Sequence, residues 1–365
     1  MSEPLTPSPI STAELLRRWE VASAESRAAL SGRLVLAFLG SASSGKDSAV
    51  RALFGVDFGE IDPIPGSTSR ARAIALGPQL VVVNAPGFGD LRAEVEAEAR
   101  ALISGMDLAI YLVNCDGGAT IDERRDLDAL RALGRPVLVC LNKIDLIRGH
   151  QRAAFVSATL AQLGVQPADA VVTAFDPLPA LADAPVGVAE VAAWLTGTLE
   201  KQGKALLFAR HLRDRALAAI PIIDAAARRA ALAGAIPVPG ADMAAVSAVQ
   251  VKLISDLAAL YDQPMERDLV LFILGEVLAG SSKGFVRWAM DALKVAGWIP
   301  GNQLVELATS ALGATLAGAA TWGAGRAADT FLRRRAEGRG MSGDELRQIF
   351  DAEAFKWKDE RGGRE

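Results

Sequence analysis

The stretch GSASSGKDS, Gly40 to Ser48, has the G-x-x-x-x-G-K spacing of a phosphate-binding loop. In such a loop Gly40 and Gly45 let backbone N–H groups wrap phosphate oxygens, Lys46 reaches the terminal phosphates, and the helix that follows adds the positive end of its dipole. Gly40, Ser41, Ala42, Ser43, Ser44, Gly45, Lys46, Asp47 and Ser48 are all phosphate-binding candidates on this reading. A glycine-rich turn without a ligand gives the same letters, so the motif gains weight only in company. Asp47 is the anomaly. The position after the lysine normally supplies a magnesium-binding hydroxyl, and here it supplies a carboxylate.

Two further stretches can act on the same ligand. In LNKIDLI, the Asp145 carboxylate can accept hydrogen bonds from the N1–H and exocyclic amine of guanine, a donor pair that adenine lacks. A polar turn between strand and helix is the alternative. In NAPGFGD, Asn84 to Asp90, the N–H of Gly87 can sense a γ-phosphate.

Residues with these duties must stand at the ends of strands, and the pattern around them supplies strands. LVLAFLG, LVVVNAPG, DLAIYLVN, PVLVCLN and AVVTA are apolar runs separated by helix-period segments between about Arg33 and Lys204. That alternation predicts an α/β fold: a mostly parallel, doubly wound sheet. In ARAIALGPQLVVV two runs meet at Gly77-Pro78, too close for a crossover, so that pair is expected to be antiparallel. Ser11 with Glu14 has the spacing of a capping box and predicts a helical arm over residues 1–32. Residues 33–204 form the nucleotide domain on this reading. From residue 205 to 365 the texture is Ala-rich and helical, broken at IPVPG, GSSKG and WIPGN, and predicts an all-α domain.

With 365 residues, 51% apolar and 22% charged, the chain is globular and has length for about two domains. A net charge of −4 gives no bulk attraction to nucleic acid, and no nucleic-acid partner is expected. Cys115 and Cys140 each end an apolar run and read as reduced core thiols. His150 and His211 sit among charged residues and read as solvated. The N-terminus has no charged-then-apolar signal pattern, so a cytoplasmic location is expected.

In order and spacing, these motifs resemble the translation-factor-related class of P-loop GTPases. GSASSGKDS looks like its first motif, Thr68 in PGSTSR like the switch-I threonine, NAPG like D-x-x-G, NKID like N-K-x-D, and Thr173-Ala174 like the short S-A motif. The resemblance covers residues 33–204, and among its branches GFGD and NKIDL resemble Era-like members, while Ser43-Ser44 resembles dynamin-like ones. It implies GTP and GDP as ligands, with guanine held by Asn142, Lys143, Asp145, Thr173 and Ala174. It implies Lys46, Thr68 and Gly87 as the catalytic set, Mg²⁺ as cofactor, and a nucleotide-dependent dimer as one partner state.

Two departures fall on the same metal. The family places a hydroxyl and a carboxylate around Mg²⁺ where this chain has Asp47 and Asn84, so Asp47, Thr68 and Asn84 are the metal candidates. A carboxylate ~4 Å from a phosphate charge costs about 4 kcal/mol at an effective dielectric near 20, while the helix dipole returns only ~0.3–1 kcal/mol. Either Asp47 has taken over the metal-side charge that Asn84 gave up, or the site is degenerate and Asp47 only caps the helix. Phe88 stands where many of these enzymes carry a water-orienting Gln, which implies slow turnover that depends on K⁺ at Ser43 or on a partner. Ser67 and Ser69 are substitutes for Thr68.

Residues 212–336 resemble the YcjF-type domain of unknown function that some bacterial GTPases carry, which implies association with a membrane surface or an inner-membrane protein. Independently, Leu307 to Gly325 carries no charge and is followed by Arg326, Arg333, Arg334 and Arg335. Its Ala, Gly and Thr content favours a closely packed bundle helix over a membrane span, with peripheral docking through the arginines between the two. Trp288, Trp298 and Trp322 would serve either reading. The leading function is a slow GTP-hydrolysing switch. The alternatives are a non-hydrolysing nucleotide-sensing module and a small dynamin-like membrane-remodelling protein.

Overall fold

Leu34–Leu39 is apolar at every position, and all six side chains are buried. A strand covered on both faces needs no polar alternation. In the computed structural model of the chain this run lies inside a six-stranded sheet. The structure describes residues 12–57, 72–85, 104–235, 241–264, 266–275 and 302–361. They form two compact units: Leu30–Leu217, and the residues up to Ala29 together with those from Ala218 onward. Most of the first helix, α1 (Thr12–Ser31), belongs to the second of these.

In the unit Leu30–Leu217, β1 (Leu34–Leu39), β2 (Arg72–Leu76), β3 (Leu80–Asn84), β4 (Leu108–Asn114), β5 (Val137–Asn142) and β6 (Ala170–Val172) stand in the order β2-β3-β1-β4-β5-β6. The pairs β1·β3, β1·β4, β4·β5 and β5·β6 are parallel. Only β2 runs against its neighbour, β3, because the turn at Gly77-Pro78 is far shorter than a parallel crossover needs. Among the described residues the α-helices of this unit are α2 (Lys46–Phe54), α3 (Ile121–Ala132), α4 (Arg152–Leu163), α5 (Val188–Glu200) and α6 (Ala205–His211). Val35, Ala37 and Leu39 of β1 pack in one cluster with Leu127, Leu130, Leu160 and Leu163 of α3 and α4. Phe38 points the other way, edge-on to Phe54 of α2 at 6.4 Å, and Phe54 meets Phe208 of α6 at 6.1 Å. Each fully buried Leu or Phe is worth about 2 kcal/mol, so both faces of the sheet hold it in place.

The order of strands reverses at β1, with β3 on one side and β4 on the other. In an open sheet of this kind the crevice beyond the strands' carboxyl ends receives the ligand. Cys115 and Cys140 are buried and unpaired, as the sequence suggests. His150 is exposed, but His211 is half-buried: its Nδ1 lies 2.8 Å from the carbonyl of Leu207 and its ring stands beside Gly77. The charged neighbours in sequence hid a packing position at the end of α6.

The second unit is helical throughout its described residues: α7 (Ala216–Gly234), α8 (Ala241–Leu260), α9 (Arg267–Leu274), α10 (Asn302–Ala336) and α11 (Gly343–Arg361). Among the described residues no helix is long and apolar enough to cross a membrane. α10, which contains the uncharged stretch, is a bundle helix with glycines at its contacts. A Cβ on Gly318 would stand 2.4 Å from the Trp357 ring, and one on Gly325 2.7 Å from Ile223. Polar ties accompany the packing: Tyr261 donates to Asp329 at 2.5 Å, Gln250 to Thr321 at 3.3 Å, and Trp322 to Glu353 at 3.2 Å. Trp288 and Trp298 lie outside the described residues. α1 is held on α8 by Arg18 donating to the carbonyl of Ala244 (2.6 Å) and Ser26 donating to Asp256 (2.7 Å). Ser11 lies outside the described residues, and Glu14 pairs with Arg17 and Arg18, whose hydrogen bonds hold its carboxyl down at about 2.

Candidate nucleotide site

Directly after β1 the chain turns through Gly40 and Gly45, at φ 139° and 93°, and enters α2. These are backbone angles that L side chains rarely adopt. No side chain caps α2, which leaves the first-turn N–H groups facing an anion position at the carboxyl edge of the sheet. Lys46 is buried, and its ammonium donates to the carbonyls of Gly40 (2.9 Å) and Ser41 (2.8 Å). Within this loop the Ser44 hydroxyl is buried without a hydrogen-bond partner among the described residues.

β5 delivers Asn142 to the same edge. Its side-chain Nδ2 donates to the carbonyl of Ser44 at 2.8 Å, while Oδ1 accepts from the Thr173 hydroxyl and the Phe175 N–H, both at 3.2 Å. One amide thus joins the phosphate loop, the end of β5 and the segment after β6. Lys143 takes a left-handed conformation (φ 63°), which turns the chain into a short 3-10 helix carrying Asp145. Asp145 is 9% exposed, and its Oδ2 accepts from the Leu178 N–H at 3.2 Å. Thr173 and Ala174 are buried beside it. The guanine candidates and the phosphate loop therefore share one rim.

β3 ends in Asn84, level with Phe38 of β1 in the parallel register and 3% exposed. Its Nδ2 donates to Oδ1 of Asp47 in the first turn of α2. The other carboxylate oxygen, Oδ2, has no hydrogen-bond partner among the described residues. Thr68, Ser67, Ser69, Gly87 and Phe88 lie outside the described residues.

One participant escaped the sequence reading. Glu123 of α3 is 5% exposed and forms a reciprocal capping box with Thr120: the Thr120 N–H donates to its carboxylate at 3.0 Å, and its own N–H donates to the Thr120 hydroxyl at 3.1 Å. It also accepts from the Ser41 hydroxyl at 3.4 Å, which brings a buried carboxylate against the phosphate loop. Burial raises its pKa, and the Thr120 hydrogen bonds oppose the rise. The signal was available, since Thr120-Ile-Asp-Glu123 has capping-box spacing. The reach to Ser41 is tertiary. Cys115, desolvated and near Asp145 and Glu123, has its thiol pushed up to about 12.

The donors at the α2–β3 contact suit a hard divalent cation. Asp47 offers a carboxylate oxygen, the kind of ligand such a cation takes, and the Asn84 amide orients it. Among the described residues there is no cluster of three or more His, Cys, Asp or Glu that would cage a metal alone. Magnesium held between one or two protein oxygens and substrate phosphates needs no such cage.

Residues 35–143 match the family model described as the 50S ribosome-binding GTPase, and residues 199–353 match the domain of unknown function DUF697. The chain thus joins a GTP-binding domain of the P-loop GTPase type to a DUF697 domain. Among curated proteins, GTPase Der of Streptomyces coelicolor is 29% identical over 129 residues, covering 33% of this chain and 28% of the relative. GTPase Der of Halorhodospira halophila is 30% identical over 148 residues, covering 38% of this chain and 30% of the relative. The chain spans less than a third of the length of these two relatives. Of solved structures, a probable GTP-binding protein engB aligns with a TM-score of 0.34 and 17% identity, over 46% of this chain and 99% of that one. Era from Aquifex aeolicus aligns with a TM-score of 0.33 and 17% identity, over 56% and 69%. The first family match ends at Lys143, short of Asp145, Thr173 and Ala174.

Proposed function

We propose that the chain is a guanine-nucleotide switch whose first unit binds GTP and GDP and turns GTP over slowly. The observation that carries this reading is the Asn142 amide, which fixes the guanine-side segment to the carbonyl of Ser44 in the phosphate loop. A ligand with a guanine at one end and phosphates at the other meets both. In this reading Asp145 accepts from the base, Thr173 and Ala174 line the pocket, and backbone N–H groups from Gly40 to Ser48 receive phosphate oxygens. Lys46 moves from its carbonyl partners to the terminal phosphates. Asp47, oriented by Asn84, and Thr68 are the residues that would hold Mg²⁺, which when bound draws charge off the phosphate oxygens. Thr68 and Gly87 would sense the γ-phosphate, and Ser43 is the candidate for a K⁺ contact.

The second unit reads the nucleotide state out to a partner. The cluster Arg333, Arg334 and Arg335 in the last turn of α10 suits an acidic protein surface or an anionic membrane surface. Phosphate release by the purified chain with Mg²⁺, K⁺ and anionic liposomes tests the proposal. Slow release that rises with one of these additions supports it, and no binding of GTP or GDP in any condition refutes it. A non-hydrolysing sensor is the second reading, favoured by Asn84, an amide donor to Asp47 where the family has a carboxylate. Tight GTP binding with no release under any condition selects that reading.

A further inference from the structure

We infer that the cavity between the start of α9 and the end of α10 receives a peptide segment of a protein partner, in which an apolar side chain stands between a basic and an acidic one. Its lining residues all belong to the helical unit, so the inference narrows the partner of that unit and stands apart from the nucleotide reading. The cavity measures about 420 Å³, in the lower part of the ~300–1,000 Å³ range of sites that take up small ligands.

Helical spacing builds it. On α9, Asp268 and Phe272 are one turn apart, with Leu269 beside them, and on α10 Phe331 and Arg335 are one turn apart. The two phenylalanine rings meet at 5.5 Å with a 41° tilt and, with Leu269, give the cavity its apolar part, to which Met341 adds from the segment between α10 and α11. Leu269 and Phe331 are buried, but Phe272 is 38% exposed. A ring that keeps so much apolar surface in water gains from a cover.

The rim carries both signs. Glu266 and Asp268 bring carboxylates from the α9 side, and Arg335 and Arg339 bring guanidiniums from the α10 side. Among the described residues the side chains of Glu266, Asp268 and Arg335 have no hydrogen-bond or ion-pair partner, and Arg339 pairs with Glu337, two residues before it. Opposite charges that line one cavity without neutralising each other suit a ligand that brings a cation for the carboxylates and an anion for the guanidiniums. Arginine forks suit a carboxylate in particular. A polypeptide supplies this set within a few residues, with an apolar side chain between to cover Phe272. An anionic membrane supplies only half of it, because headgroups that suit the arginines meet two carboxylates on the same rim.

The test titrates the full chain with three short peptides, acetylated and amidated, followed by ligand-observed NMR. Each has a central leucine, flanked in one by lysine and glutamate, in the second by two lysines and in the third by two glutamates. The mixed peptide is expected to bind the wild-type chain at least about 10-fold more tightly than either single-sign peptide, and its leucine-to-alanine version about 10-fold more weakly than itself. Arg335→Glu with Arg339→Glu makes the rim acidic, and the preference is expected to move to the two-lysine peptide. Glu266→Lys with Asp268→Lys makes it basic and moves the preference to the two-glutamate peptide. All four side chains are exposed, so the fold is expected to survive, with far-UV circular dichroism as the check. Should a reversed variant misfold, Arg335→Gln and Asp268→Asn carry the same comparison with a smaller shift. Phe272→Ala, which keeps the charges, is expected to weaken all three peptides alike. A folded chain that binds none of the peptides, or a preference that does not follow the sign of the rim, overturns the proposal. Binding to phosphatidylglycerol vesicles that is lost in Arg335→Glu, without any peptide preference, overturns it in favour of a membrane. GDP binding measured on the same preparations tests the nucleotide reading separately, and its failure leaves this site standing.

Discussion

The side-chain amide of Asn142 reaches 2.8 Å to the carbonyl of Ser44, so the end of β5 and the phosphate loop are one hydrogen-bonded structure. Both ends of that amide are used, since its oxygen also accepts from Thr173 and Phe175. Removing it leaves two donors and one acceptor unsatisfied in a buried place. Asn142→Ala is expected to lower stability by about 1–3 kcal/mol in chemical denaturation. It should also weaken GDP and GTP binding, while Lys143→Ala on the neighbouring, half-buried position costs less stability.

Gly45, like Gly40, leaves no room for a side chain. A Cβ there would lie 2.2 Å from Asn142 Nδ2, at a φ of 93° that is itself unfavourable for a side chain. Gly45→Ala is expected to cost about 1–3 kcal/mol from backbone strain and to push Asn142 off Ser44. Thermal denaturation and nucleotide binding should both fall. Retention of wild-type affinity would contradict the coupling described here.

Glu123 gives a pH signature. Burial raises its carboxyl above the ordinary 4.5, so the folded chain holds that proton more tightly than the unfolded chain. Its contribution to stability is then greatest below the unfolded pKa and is lost as pH rises through the higher folded value. Glu123→Gln keeps an acceptor for the Thr120 N–H and removes the titration. The melting temperature of wild type minus that of the variant is expected to decline as pH rises above the ordinary 4.5 and through the higher folded value. A flat or rising difference is the contrary result.

Two glycine substitutions in helices should move stability in opposite directions. Gly197 lies inside α5 with nothing within 4 Å of a built Cβ, so Gly197→Ala is expected to stabilise by about 0.5–1 kcal/mol through helix propensity alone. Gly325 lies inside α10 against Ile223 and Leu253, at 2.7 and 2.9 Å from a built Cβ, and Gly325→Ala should destabilise by about 1–3 kcal/mol. Denaturant titration of both proteins decides the signs.

Much of the nucleotide unit was legible in the sequence because parallel strands buried on both faces write themselves as unbroken apolar runs, as Leu34–Leu39 and Leu108–Asn114 do. The antiparallel β2–β3 pair followed from the shortness of the Gly77-Pro78 turn alone. The phosphate-loop and NKID spacings are local and stand in the sequence directly. What they do to each other does not. The Asn142–Ser44 tie, the Asn84–Asp47 contact and the Glu123–Ser41 contact join residues far apart in sequence, and no local periodicity announces such pairs. His211 misled for the same reason, because its packing against the β2–β3 turn is a property of the fold. In the helical unit, composition alone set a membrane span against a bundle helix for α10, and the decision came from what its glycines touch.

Those glycine contacts carry a consequence for how this helix can change over time. A leucine at an interface can shrink or grow, but glycine has no smaller replacement, so Gly318 against the Trp357 ring can be altered from its own side only by adding atoms. Variation at that contact therefore has to begin on α11, where Trp357 yields space first and Gly318 follows. The history of the helical unit should show its partners moving before α10 does.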